Sequence, residues 1–233
     1  MKPLAKRVKI DIAILSQSLN GAATSSYYNM GMDRKGATVW QTGAMAAGVT
    51  SICQIMQAKD VAGTDAKPIT AAVDTITANT KVIGMTITCA TVIATDEVTI
   101  NGIKFVAAAA EDLPKGVFAI GANDTACAAS LVKAINHATA GVPGVTAASA
   151  LGVVTLAIDE PGEMTLTAAS PDATITVATT SAIGAVEFDA ADLDVDGGFT
   201  HVAARITNGA ASQTAAFFVR ADGRFEPVNQ FSV

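Results

Sequence analysis

The sequence predicts a mainly β protein: an antiparallel β-sandwich with an inserted small α+β module whose one main helix covers about residues 124–139. Three observations predict it. Short runs rich in Val, Ile and Thr alternate apolar with polar residues, the period-two pattern of half-buried strands. Gly, Pro, Asn and Asp separate these runs at short intervals, as turn chemistry requires. The chain has one clear helical spacing, Cys127, Leu131 and Ile135 four apart, with Ala128, Ala134 and Ala138 beside them.

The elements follow in order. Val8, Ile10, Ile12 and Ile14 alternate with Lys9, Asp11 and Ala13, which predicts a strand over Val8–Leu15. Gly21-Ala22-Ala23-Thr24-Ser25-Ser26 has loop composition, and Asp33-Arg34-Lys35-Gly36 reads as a polar turn. Ala37–Thr42 and Val49–Ala58 are strands, with small residues Gly43–Gly48 turning between them. Gly63-Thr64-Asp65 makes a turn before Pro68-Ile69. Val82–Ile93 is long and β-prone. Val98-Thr99-Ile100 and Ile103-Lys104-Phe105 flank Asn101-Gly102, a hairpin signal because both turn residues accept positive φ. Asn123-Asp124-Thr125 supplies helix caps, and Gly141 with Pro143 stops the helix. Short strands follow at Val145–Ala148, Gly152–Ile158, Met164–Ala168 and Ala173–Ala178. Phe199–Ile206 and Ala215–Val219 are strands, and Phe225–Val233 is a tail.

Neither the first ~80 residues nor the last ~50 can bury a good core alone. Residues 1–80 and 182–233 therefore read as one discontinuous β-sandwich domain, and 81–181 as an inserted α+β domain.

Composition narrows the function classes. Ala (47), Thr (27) and Gly (19) make two residues in five, so the core is built from small side chains and gains less burial per residue. Half the chain is apolar, which excludes ordinary disorder. A net charge of −6 argues against nucleic acid as a partner, since phosphate recognition wants a basic face. No run approaches the ~18 apolar residues of a membrane helix. The apolar run Ile12–Leu15 behind the basic Lys2, Lys6, Arg7 and Lys9 is too short for a signal peptide, so the chain reads as made in the cytoplasm and not secreted.

Candidate chemistry is sparse. Asp192, Asp194 and Asp196, with Gly197, match the opening of a calcium loop, but its twelfth position is Ala203 where an acid is needed. These three are a weak cation candidate within the acidic run Glu187–Asp196; otherwise Leu193 and Val195 suit an edge strand with the acids facing water. Cys53, Cys89 and Cys127 sit widely spaced in apolar runs, as buried small hydrophobes. His137 falls at the helix end and His201 in a strand, with no nucleophile motif near either, so no catalytic residue is assigned and no cofactor or small-molecule substrate is expected. Gly141-Val142-Pro143-Gly144 lacks the Lys-Ser/Thr of a phosphate loop. Trp40 with Tyr27 and Tyr28 would stack a sugar only if exposed together; core or interface places suit them better.

Several segments carry a resemblance. Tyr28-Asn29-Met30, Gly36–Val39, Thr42–Gly48, Gln57–Thr64, Leu193-Asp194-Val195 and Gly198–Ala203 resemble a family of small structural proteins of tailed-bacteriophage virions. Val98–Phe105, Leu131–Asn136, Gly144–Ala147 and Val153–Leu156 are similar to a module recurring in phage head and tail proteins. The resemblance implies a non-enzymatic virion protein without catalytic residues. Its leading form is a capsid decoration or cement protein stabilising the phage head, with the major capsid protein and copies of itself, as a homotrimer, for partners. A tail tube or other tail component, and a receptor- or glycan-binding fibre domain, are the alternatives. Multivalent contact on a symmetric lattice supplies affinity in the leading case. An extended arm, Met1–Lys9 or Phe225–Val233, is expected to add a strand to a neighbour's sheet.

Overall fold

The structure is a computed structural model and describes residues 8–45, 49–77, 81–160 and 165–223. It is mainly β with one α-helix, and a sandwich of two sheets fits it, as the sequence predicts. The strands are β1 (Val8–Thr24), β2 (Tyr28–Asn29), β3 (Asp33–Thr42), β4 (Thr50–Ala58), β5 (Lys67–Thr77), β6 (Val82–Cys89), β7 (Glu97–Ile100) and β8 (Ile103–Ala108). Then come β9 (Val117–Ala119), helix α1 (Asp124–Ile135), β10 (Val145–Ala150), β11 (Val153–Ile158), β12 (Ala168–Ala169), β13 (Ile175–Asp189) and β14 (His201–Gly223). The chain divides into two compact units, one drawn from Met1–Gly43, Gly48–Thr77 and Ile183–Val233, the other from Ala44–Ala47 and Ala78–Ala182.

The first unit is organised by β14. Its early half pairs with β4 from His201↔Ala58 to Asn208↔Ser51, and its late half with β3 from Thr214↔Thr42 to Gly223↔Asp33. Antiparallel β1 follows its other edge through both halves, with bulges that let the ribbon bend. Gly209–Gln213 lies between the two halves. There a buried polar chain ties the layers together. Trp40 Nε1 donates to Ser51 Oγ at 3.3 Å, Ser51 Oγ to Asn208 Oδ1 at 2.7 Å, and Asn208 Nδ2 to Thr214 Oγ1 at 2.8 Å. These four side chains thus satisfy one another, as burial demands, whereas the buried hydroxyls of Thr38 and Thr42 on β3 find no partner among the described residues. The inner face holds Trp40, Cys53, Ile55, Ile206, Ala216 and Phe218. Small residues make the room: a Cβ on Gly184 would stand 2.5 Å from the Trp40 ring.

The second unit has one core. Antiparallel β10, β11, β6 and the first half of β13 form a sheet; β12, β7, β8 and β9 form a smaller one, with β8 and β9 parallel. Helix α1 buries Cys127, Ala128, Leu131, Ala134 and Ile135 in that core. Asn123 caps it, its Oδ1 accepting from Ala126 N at 2.9 Å. The predicted hairpin is present: Asn101 and Gly102 both have positive φ, 45° and 81°.

Several expectations are corrected. The helix ends at Ile135, a turn before residue 139, because the Asn136 side chain leaves the helical path to bond both backbone groups of Ala147, at 2.8 and 2.9 Å. Gly21–Thr24 and Asp33–Gly36 are strand, not loop and turn; long β14 offers them pairing partners that override their local preference. Lys67–Thr77 is an unforeseen strand, at an edge where Pro68 costs no ladder bond. The acidic run does not continue as an edge strand: Asp189 and Asp192 form a capping box that closes a 3-10 turn over Ala190–Asp192. Phe199–Ile206 and Ala215–Val219 belong, from His201 on, to the single strand β14. The tail 225–233 and residues 1–7 of the N-terminal arm lie outside the described residues.

Candidate functional site

The loops that follow β4 and β13 in the first unit form a surface held by many side-chain hydrogen bonds. Asp60 organises the β4–β5 turn. Its Oδ1 accepts from Ala62 N and Thr64 N, at 2.9 and 3.1 Å, and its Oδ2 from the Thr64 hydroxyl at 2.7 Å. Those bonds, the hydroxyl's first, hold the Asp60 carboxyl below its ordinary range. A Cβ on Gly63, at φ 85°, would strike the Tyr27 ring at 2.7 Å, so glycine there serves both turn and packing.

The segment after the 3-10 turn docks beside it. Gln57 Oε1 accepts from Asp194 N at 2.8 Å, and Thr200 Oγ1 donates to Lys59 O at 3.2 Å. Lys67 Nζ stands 2.6 Å from Asp194 Oδ2 and 4.2 Å from the centre of the buried Phe199 ring. Lys59 pairs with Asp65 at 2.7 Å. Tyr28 and Asn29 pair with Val202 and His201 on β14. Val61 and Val195 are exposed on these fixed loops. The arrangement can present an ordered apolar and charged surface.

The weak cation candidates are not brought together. Asp192 Oδ2 accepts from Asp189 N at 2.8 Å, Asp194 is engaged by Lys67 and by Gly197 N at 2.9 Å, and Asp196 is exposed. The Lys67 ammonium and the Gly197 amide lower the Asp194 pKa. Among the described residues, no group of three or more His, Cys, Asp or Glu side chains could hold a metal ion.

The aromatic trio does not form a sugar platform, because Trp40 is only 1% exposed. Tyr28 instead stacks on Phe218 with ring centres 5.1 Å apart. His137 and His201 fall in different units. The three cysteines are free and buried. Burial pushes the Cys53 thiol up to about 12, an unreactive state. Cys89 and Cys127 are neighbours in the second core; the hydrogen bond between them raises the Cys89 pKa and lowers that of Cys127.

One ionic cluster escaped the sequence reading. Arg220 Nη2 lies 2.7 Å from Asp11 Oδ2, and its Nη1 3.3 Å from Asp33 Oδ2 and 3.2 Å from Asn29 O. It ties β1, β3 and β14 together. Burial raises the Asp33 pKa, with Arg220 opposing. These residues are up to 209 positions apart, so no local motif marks them.

No family model, curated protein or solved structure matches the chain.

Proposed function

We propose that the chain is a non-enzymatic structural protein of a tailed-phage virion, a decoration protein that binds the assembled head through several copies. One observation carries the reading. Three of the segments that resemble virion proteins, Tyr28–Met30, Gln57–Thr64 and Leu193–Ala203, meet at one loop end, while Gly36–Val39 and Thr42 pair with the late half of β14. The loop end supplies Val61 and Val195 as apolar contacts and Lys59, Lys67, Asp65 and Asp194 as a charged rim. Partners on this reading are the major capsid protein and further copies of the chain, and the place of action is the virion.

The same likeness extends to tail proteins, and the form of the purified protein separates the two. Negative-stain images with native mass from one sample test this. Discrete small oligomers are the expected result; stacked rings or growing tubes would make this a tail protein.

A further inference from the structure

Strand β1 pairs with β14 on one edge, and among the described residues no strand pairs with its other edge. A long open edge is a template for another strand. Natural proteins guard such edges with charge or proline, yet this one carries exposed Ile10 (66%) and Ile12, beside exposed Phe217 of β14. Ile10 lies opposite Val219 and Ile12 opposite Phe217, so the apolar side chains share one face of the ribbon. The intervening Lys9 and Asp11 lie on the other face, Asp11 held by Arg220.

The order of these residues selects an occupant. In an antiparallel pair of two β1 strands centred on Ile10, Lys9 stands opposite the partner's Asp11, and Asp11 opposite the partner's Lys9. Val8 stands opposite the partner's Ile12, and Ile10 opposite the partner's Ile10. Centring on Lys9 would set Lys9 against the partner's Lys9, and centring on Asp11 would set Asp11 against the partner's Asp11, and like charges directly opposite destabilise a cross-strand pair. Centring further on runs into the bulge between Ile12 and Ile14; the Tyr28 hydroxyl, which donates to Ile12 O at 3.1 Å, marks the end of the paired stretch, where that carbonyl's second lone pair is left for the partner strand. One register therefore satisfies both faces. A self-complementary patch of this kind generates a two-fold contact.

We propose that β1 is a self-pairing edge, joining two copies of this chain antiparallel along Val8–Ile12 across a two-fold axis at Ile10. The stretch is short, so the contact is weak in dilute solution and gains where copies are crowded. It does not depend on which part of a particle the protein occupies.

Sedimentation velocity of the full chain over a concentration series tests it. The wild-type chain is expected to associate as concentration rises. Ile10→Lys and Ile10→Glu change only an exposed side chain and leave far-UV circular dichroism unaltered; each alone is expected to fall to about half the wild-type mass at high concentration. An equimolar mixture of the two sets Lys opposite Glu and is expected to regain the wild-type mass. Lys9→Glu, which faces the partner's Asp11, is expected to lose association as well. A wild-type chain that stays monomeric, single variants that associate like wild type, or a mixture that stays at the lower mass would each overturn the proposal.

Discussion

Trp40 shows how one residue sets the character of the first unit. It is the chain's single tryptophan, fully buried, and its indole N–H begins the polar chain through Ser51 to Asn208. Trp40→Ala is expected to cost about 3–5 kcal/mol, read from urea denaturation. In the intact protein its fluorescence should be blue-shifted and barely quenched by acrylamide. Gly184→Ala forces a methyl onto the same ring and is expected to cost about 1–3 kcal/mol. Asp194 gives the pH dependence. Its folded pKa lies below the ordinary 3.8, so its contribution is present above that value and is lost as pH falls through the lowered pKa. Asp194→Asn should therefore lower Tm slightly at pH 6, with the gap closing below about pH 3.8. The sequence marked both residues but not their roles. Trp40 could be core or platform, and only the Gly184 gap and Ser51 decide for core. Asp194 belonged to an acidic run, and its partner Lys67 lies 127 positions away.

Two hairpins of the second unit compare well at the level of elements. Asn101-Gly102 and Leu151-Gly152 both turn with two positive φ values, 45° and 81° in the first, 49° and 81° in the second. Asn tolerates the left-handed region; Leu does not. Leu151 is moreover 90% exposed and gains little from packing. Leu151→Asn is expected to stabilise the chain by about 1 kcal/mol in thermal unfolding followed by circular dichroism. The contrast explains what was legible. The Asn-Gly turn, the cap at Asn123 and the period-two strands rest on local chemistry, so the sequence reveals them. Asp33–Gly36, Gly21–Thr24 and Lys67–Thr77 are strands because β14 and β4 pair with them, and pairing between distant segments leaves no local trace.

At the scale of the whole molecule, two surfaces of the first unit carry the proposals, the loop end and the β1 edge. The cysteines are buried, the histidines are in separate units, and the loop end is fixed by Asp60, Gln57 and Thr200. The loop end and the β1 edge adjoin at Tyr28, whose hydroxyl donates to Ile12 O at 3.1 Å, but Val61 and Val195 on the one and Ile10 on the other are different residues, so the proposed attachment and the proposed self-association can be tested by separate mutations. That Tyr28, Gln57 and Asp194 meet at the loop end was not legible, because β14 and the bond from Asp194 N to Gln57 bring them together only on folding. The proposed decoration role makes its most direct prediction about undecorated heads of a tailed phage whose genome carries this sequence. Mixed with such heads and sedimented, the wild-type protein is expected to pellet saturably and in fixed ratio to the major capsid protein. The double variant Val61→Asp with Val195→Asp should fold normally and stay in the supernatant. Wild-type protein that never pellets with the heads would contradict the account.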